Sequence, residues 1–535
     1  MPIVPQGVSP ADFAEALRQF EGAIGKEWVY SKDEDVDLYR DAYSPFWGEE
    51  EERRASAAVA PASVEQVQAV VRIANRYRVP LYPISTGRDL TYGGSAPVLS
   101  GAVVLDLKRM NRILEVNEAG AYCMVEPGVS YFDLYRYIRA HQLKVRIDPP
   151  DPGWGSPIGN SLEHGVGRGP YRDHFRTHCG LEIVTGSGDL LRTGMGALPN
   201  SGSLWPRFRY GYGPYIDGMF SSSNFGVVTK MGMHLLPEPE LTCVFDLSIG
   251  RYEDLDDFVH ELAQLFDMGV LNSISQMRMP LLSMQVPQAR VLLESPGGGT
   301  STQWNALSER LGLPPWQVVQ LNCQGPAKIV AAHYDYVIDR MSRFAGFKLI
   351  SRRDYSGGVD PAQVPGEDKC ALGIPSLVIF EGLAMARAHG HLDFSPAYPM
   401  TGEAVRQINT LLQQGYRDVG MPWRGWNGGN TWFDKTFTMI NPFELTGDPA
   451  QHAQVVAAFG HLMRLLGAHG FAEYRTHPIF QDLLMSQYSF NDHALLRFHQ
   501  TVKDAIDPRG VLSAGRAGIW PKYLRQRQGQ GKGVA

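Results

Sequence analysis

At 535 residues the chain is too long for one simple core, so two or three domains are expected. Its 44% hydrophobic and 20% charged residues describe an ordinary soluble globular protein. A net charge of -6 leaves no basic excess to neutralise phosphates, which argues against nucleic acid, and no apolar run approaches the roughly 18 residues that cross a bilayer.

The opening MPIVPQGVSPADFAEAL has no basic region followed by an apolar stretch, so it does not read as a secretory signal. Five scattered cysteines (Cys123, Cys179, Cys243, Cys323 and Cys370) include no C-x-x-C pair. That spacing argues against a disulfide framework and against structural zinc. A cytoplasmic protein is the expectation.

In chain order, SAAVAP reads as a short strand. Ser63 caps the next helix with Gln66 completing a capping box, and Val64, Val67, Val71 and Ala74 recur at helical spacing to about Arg78. Pro80 ends that helix and LYPIS follows as a strand. AVVLDL, ILEVN and YCMVEPGV are further strands, and SYFDLYRYIRAHQ is a helix. A stretch rich in Gly, Pro and Asn spans Asp148 to Gly169. LEIVTGSGDLLRTG reads as a hairpin, and NFGVVTKMGMHLLP as a strand pair. Beyond about Glu240, amphipathic helices (DLDDFVHELAQLF, EAVRQINTLLQQG, HAQVVAAFGHLMRLLGAHG) alternate with strands such as CVFDLSIG and FTMINPFEL, an α+β pattern. The last 60 or so residues read as a helix-rich return to AGRAGIWP, and the tail RQRQGQGKGVA as disordered.

Four clusters carry chemistry. Pro83 and Ser85-Thr86-Gly87-Arg88-Asp89 form a tight loop after a strand, which reads as an anion nest for a pyrophosphate or as an ordinary turn. It is not a G-x-G-x-x-G opening a helix, so a Rossmann site is not expected. Pro149, Asp151, Gly155, Ser156, Gly159 and Asn160 belong to a stretch whose small residues suit a chain pressed against a planar ligand. There Asp151 reads as a base or as a turn cap. His389, His391 and Asp393 alternate along a strand-like run, but no further ligand cluster accompanies them, so no metal is expected. Tyr474 beside Arg475 pairs a hydroxyl donor with a fixed positive charge, a receptor for an oxyanion or a surface ion-pair element.

The order and surroundings of these clusters resemble the vanillyl-alcohol oxidase and p-cresol methylhydroxylase flavoprotein family, particularly its bacterial 4-alkylphenol and eugenol oxidase members. The resemblance runs from about Ser56 to Pro521 and is closest in PISTGRDLTYGGSAP, GAYCMVEPGV, LLRTGMGALP, YGYGPYIDGMFSSSNFGVVTK, HLDFSP, EYRTH and DPRGVLSAGRAGIWP. It implies an α+β fold with a two-part FAD-binding domain (residues 1–240 and 474–535) and an α+β cap (residues 241–473).

The resemblance also implies roles. Ser85 to Asp89 would cradle the FAD pyrophosphate, while Gly155 to Glu163 and Gly226 to Val228 would run along the cofactor and Arg516 would help hold it. His391 matches the covalent flavin linker, with His389 as its competitor. Tyr92, Tyr474 and Arg475 match a triad that binds substrate as a phenolate, and Asp151 a carboxylate near the reacting carbon. Asp393 and Ser395 fall beside the pocket. The implied reaction is benzylic hydride transfer from a para-substituted phenol, through a p-quinone methide, with dioxygen as final acceptor and hydrogen peroxide as product. A homodimer is implied as well.

Two departures stand out. Arg168 occupies a position where several relatives carry another active-site tyrosine. Ile379 replaces an acidic residue ahead of the linker histidine, with Glu381 as candidate substitute. The runner-up keeps fold and flavin but passes electrons to a cytochrome. A carbohydrate hydrolase, suggested by abundant Trp and scattered carboxylates, and a non-catalytic binding protein are the alternatives without flavin.

Overall fold

The computed structural model describes residues 3–295, 298–385, 390–423 and 427–528. The first unit is the expected strand-helix-strand. Ala57–Val59 and Leu81–Ile84 both run parallel to Val103–Asp106, which lies between them. The helix Val64–Tyr77 makes the crossover and buries Val64, Val67, Val71 and Ala74. Ser63 caps it by accepting from Gln66 N–H, but the Gln66 side chain accepts from Ala62 N–H at 2.7 Å. The capping box thus closes one residue early.

A five-stranded antiparallel sheet follows, ordered Ile113–Asn117, Tyr122–Val125, Gly226–His234, His178–Thr185, Leu190–Arg192. The hairpin forms as expected, pairing Glu182 with Arg192. NFGVVTKMGMHLLP is not a strand pair. Gly226–His234 is one strand bonded to neighbours on both edges, and only Leu236–Pro237 follows, on Val145–Arg146. Within the stretch from Asp148 to Gly169, Pro157–Leu162 forms a helix with proline at its first position, where no N–H is needed.

The third sheet has eight strands, drawn from Leu241 to Glu473: Lys348–Ser356, Leu241–Ile249, Trp316–Gly325, Gln276–Arg278, Asn427–Phe433, Thr436–Thr438, Pro396–Pro399 and Ala472–Glu473. Helices Leu255–Asp267, Gly402–Asp418 and Pro449–Ala468 contribute to its core, with Phe258, Leu412 and Phe459 fully buried. FTMINPFEL is two strands, the second of which, Asn441–Leu445, pairs with Gly390–Phe394.

The chain then returns to the first sheet. Leu81 N–H donates to Val511 O at 2.7 Å and Ser513 N–H to Leu81 O at 2.8 Å. Lys503, fully buried, locks this return by donating to Asn224 O and Leu512 O while pairing with Asp507 at 2.8 Å. The tail expected to be disordered begins as helix, Lys522–Gln528. Leu524 is buried there beside Trp520, which gives this turn an apolar anchor. Residues 529–535 lie outside the described residues. Among the described residues no helix is long and apolar enough to cross a membrane. All five cysteines are buried and unpaired.

Candidate active site

The loop after Leu81–Ile84 folds back on itself through left-handed glycines. Gly87 has φ +64°, and a Cβ there would stand 2.3 Å from Ser95 Oγ. Asp89 closes the turn by accepting from Tyr92 N–H at 3.3 Å and Gly94 N–H at 3.0 Å. Opposite, a Cβ on Gly159 would lie 2.4 Å from Ser85 Oγ, so the two small-residue stretches can meet only because glycine is present.

Between them lies a cleft that encloses, with its mouth, about 1420 Å³. Its walls take Pro83, Ser85, Thr86, Gly87, Arg88, Asp89 and Tyr92 from the loop, and Asp151, Gly155, Ser156, Gly159, Asn160 and Glu163 from the glycine-rich stretch. Gly226 and Val228 come from the long strand, and Arg475 and Arg516 from the C-terminal return. Pro149 is buried but does not line the cleft; Pro150 does. Arg516 pairs with Glu163, which holds its guanidinium above the usual range although burial pulls it down. The buried Ser156 hydroxyl has no partner among the described residues. Glycine floors, arginines on the wall and an unspent hydroxyl fit a flat dinucleotide carrying a pyrophosphate.

On the cleft wall, Arg475 stands with its guanidinium carbon 4.0 Å from the centre of the Tyr92 ring and 5.2 Å from that of Tyr474, which lines not the cleft but an adjoining cavity that Arg475 also borders. Its Nη1 donates to Glu163 O at 3.3 Å, while its Nε and the Tyr474 hydroxyl are buried with no partner of good geometry. Burial raises both phenols despite Arg475, so both remain O–H donors. Trp432 and Phe433 pack edge-on against Tyr474, with ring centres at 5.8 and 5.2 Å. The group is a fixed cation flanked by two hydroxyls in an aromatic wall, built to receive an anion.

Asp151 sits in the wall with both carboxylate oxygens engaged. Arg168 Nε donates to Oδ2 at 2.7 Å and the Cys370 thiol to Oδ1 at 3.0 Å. Burial alone would raise this carboxyl, but Arg168 and Cys370 bring it below the usual range.

His391 is buried on the strand Gly390–Phe394, 3.6 Å from Asp393 and edge-on to Tyr43 at 5.3 Å. It does not line the cleft. Its link is Asp393, which accepts from Thr91 at 3.4 Å beside Tyr92. His389 lies outside the described residues, as do residues 424–426. Ser395 is buried, and its N–H donates to Glu473 at 2.8 Å rather than to anything in the cleft. Glu381 is exposed on the helix Val378–Met385.

Comparison with known proteins bears on this arrangement. Residues 55–194 match the FAD binding domain family model. The 4-cresol dehydrogenase [hydroxylating] flavoprotein subunit of Pseudomonas putida is 29% identical over 97% of this chain and 98% of its own. The structure of 4-ethylphenol oxidase from Gulosibacter chungangensis superposes with a TM-score of 0.83 at 32% identity, covering 98% of this chain and all of that one.

The chain belongs to the vanillyl-alcohol oxidase and p-cresol methylhydroxylase flavoprotein family. This flavoprotein is an FAD-binding oxidoreductase, with the α+β fold of p-cresol methylhydroxylase, whose substrate-bound structure gives a TM-score of 0.82 at 28% identity over 97% of this chain and 99% of its own. Sequence reasoning missed three side chains of the flavoprotein's site. Glu473, buried beside Tyr474, is pushed up to about 8 by burial; its place in EYRTH was the available signal. Cys370 was one cysteine among five. Gln320, which accepts from Arg168, comes from a distant strand and left no signal at all.

Proposed function

We propose that this flavoprotein is a covalent FAD-dependent oxidase of para-substituted phenols (4-alkyl, 4-allyl or 4-hydroxymethyl), with Tyr92, Tyr474 and Arg475 binding the substrate as phenolate. The observation that carries this reading is the buried Arg475 guanidinium set over Tyr92 on the cleft wall and shared with Tyr474 in the adjoining cavity, with Arg475 Nε and the Tyr474 hydroxyl lacking a partner of good geometry among the described residues. An anionic phenol oxygen is what such a group stabilises. Ionising the phenol sends electron density through the ring and loosens the benzylic hydride, leaving a p-quinone methide.

Ser85 to Asp89, Gly155, Ser156, Gly159, Asn160, Glu163, Gly226, Val228 and Arg516 would hold FAD, and His391 would tether it. FAD held there would supply the two-electron acceptor for the hydride, with dioxygen as the final acceptor in this reading. Residues 1–240 and 474–535 would form the FAD-binding part, residues 241–473 the cap. Asp151 would face the reacting carbon, and the aromatic wall of Trp432 and Phe433 would bound the substrate.

The test is a panel of 4-substituted phenols in air-saturated buffer, with peroxide measured and no acceptor added. Peroxide matching phenol consumed supports the oxidase reading. Phenol-reduced flavin that persists in air until a cytochrome or dye is added favours a dehydrogenase, a second reading supported by full-length similarity to the 4-cresol dehydrogenase subunit. A panel of inert phenols would overturn both.

A further inference from the structure

The surroundings of Arg168 are built from both halves of the chain. Trp316–Gly325 loses register with Leu241–Ile249 between Val318 and Leu321, and within that break Gln320 adopts φ +60°. A non-glycine residue in the left-handed region is strained, and the bulge re-aims its side chain. The Gln320 carboxamide oxygen accepts from Arg168 Nη1, and its Nε2 donates to Glu367 O at 3.0 Å. Its backbone N–H is held by Asp246 at 2.7 Å. Both polar atoms of the Gln320 side chain are therefore engaged, Oε1 by Arg168 and Nε2 by the backbone that anchors it.

Arg168 in turn grips Asp151 Oδ2 while Cys370, three residues beyond Glu367, donates to Oδ1. The next carboxylate, Asp148, is committed elsewhere, accepting from Gly169 N–H at 2.6 Å and Arg172 N–H at 3.2 Å. Asp151 lines the cleft and Arg168 does not, so the carboxylate is the end of the pair that a ligand meets.

We propose that Gln320, Arg168 and Cys370 are positioning residues that clamp Asp151 as a permanently ionised, fixed counter-charge to the benzylic carbon, rather than a proton acceptor. The proposal rests on the phenol reading above. Two hydrogen bonds and a cation leave the carboxylate little tendency to take a proton, and its lowered pKa agrees. A fixed anion favours the electron-poor carbon that appears as hydride departs.

A pair of isosteric probes tests this without turnover. 4-tert-Butylphenol and (4-hydroxyphenyl)trimethylammonium have the same shape and no benzylic hydrogen, so neither is oxidised. The ratio of their dissociation constants, measured by equilibrium titration of the holoenzyme from pH 5.5 to 8, reads the charge on Asp151. Because pH also ionises the probes, each variant's ratio is divided by that of the wild type. In Arg168→Gln this quotient should rise at least tenfold with pH, as an unclamped carboxylate ionises. Cys370→Ala should show a smaller rise, and Cys370→Ser, which keeps a donor, a flat line. Should Arg168→Gln fail to fold, Cys370→Ala carries the same expectation. Quotients flat with pH in every folded variant would overturn the clamp alone. If neither probe bound the wild type, the phenol reading would fall and the clamp's meaning with it.

Discussion

Arg475 lies over the ring of Tyr92, its guanidinium carbon 4.0 Å from the ring centre, with Nε lacking a partner among the described residues. The aromatic face and the bond from Nη1 to Glu163 O hold this cation in place without using Nε. One donor is therefore left for a ligand, alongside the hydroxyl of Tyr474.

That hydroxyl gives the first prediction. Tyr474→Phe removes one donor from the anion and nothing from the packing of Trp432 and Phe433. Hydrogen bonds to charged groups contribute about 1.5–3 kcal/mol, so phenol affinity should fall roughly 10- to 100-fold. Titration with a non-oxidised phenol checks this, and unchanged affinity would remove Tyr474 from the site.

The loop makes a second. Gly87→Ala places a side chain at φ +64° and forces Ser95 Oγ out of its bond to Gly87 O. The left-handed backbone alone costs about 1–2 kcal/mol. The ratio of flavin to protein absorbance should drop, with a lowered melting temperature. Full flavin content would show that this turn does not touch the cofactor.

Glu473 makes a third, in stability. Its pKa is pushed up to about 8 by burial, well above that of an unfolded glutamate. A raised carboxyl stabilises the fold while neutral, so the benefit is complete below about pH 4.5 and is lost as pH rises to about 8. Glu473→Gln cannot ionise. Its stability relative to wild type should therefore grow between those limits, by up to about 5 kcal/mol. Melting curves at pH 5 and pH 8 measure this, and a difference independent of pH would contradict it.

The tether makes a fourth. Wild-type protein precipitated in acid should keep its yellow colour, and its intact mass should exceed that of the chain by one FAD. His391→Ala should release the flavin on the same treatment. Colour retained in that variant would move the attachment elsewhere.

Much of this was legible in the sequence. Helical spacing of Val64, Val67, Val71 and Ala74 gave the crossover helix of the first unit, and glycine placement gave the loop and the facing stretch that make the cleft. Errors came where pairing partners decide structure: NFGVVTKMGMHLLP is one strand because it has neighbours on both edges, which a local pattern does not reveal. The site divided in the same way. Tyr92, Tyr474 and Arg475 sit together because parallel-sheet topology and the C-terminal return bring them there. Gln320 and Cys370 act on Asp151 across 169 and 219 residues of sequence, a relation set by the bulge and the sheet packing.

The central claim is that a buried cation with two hydroxyls turns a phenol into the anion that gives up hydride. Anaerobic mixing with a 4-alkylphenol, followed by flavin absorbance in wild type and Arg475→Ala, tests it most directly. The account predicts the same flavin content in both and reduction slowed about 10²–10³-fold or more in the variant. Equal rates of reduction would contradict it.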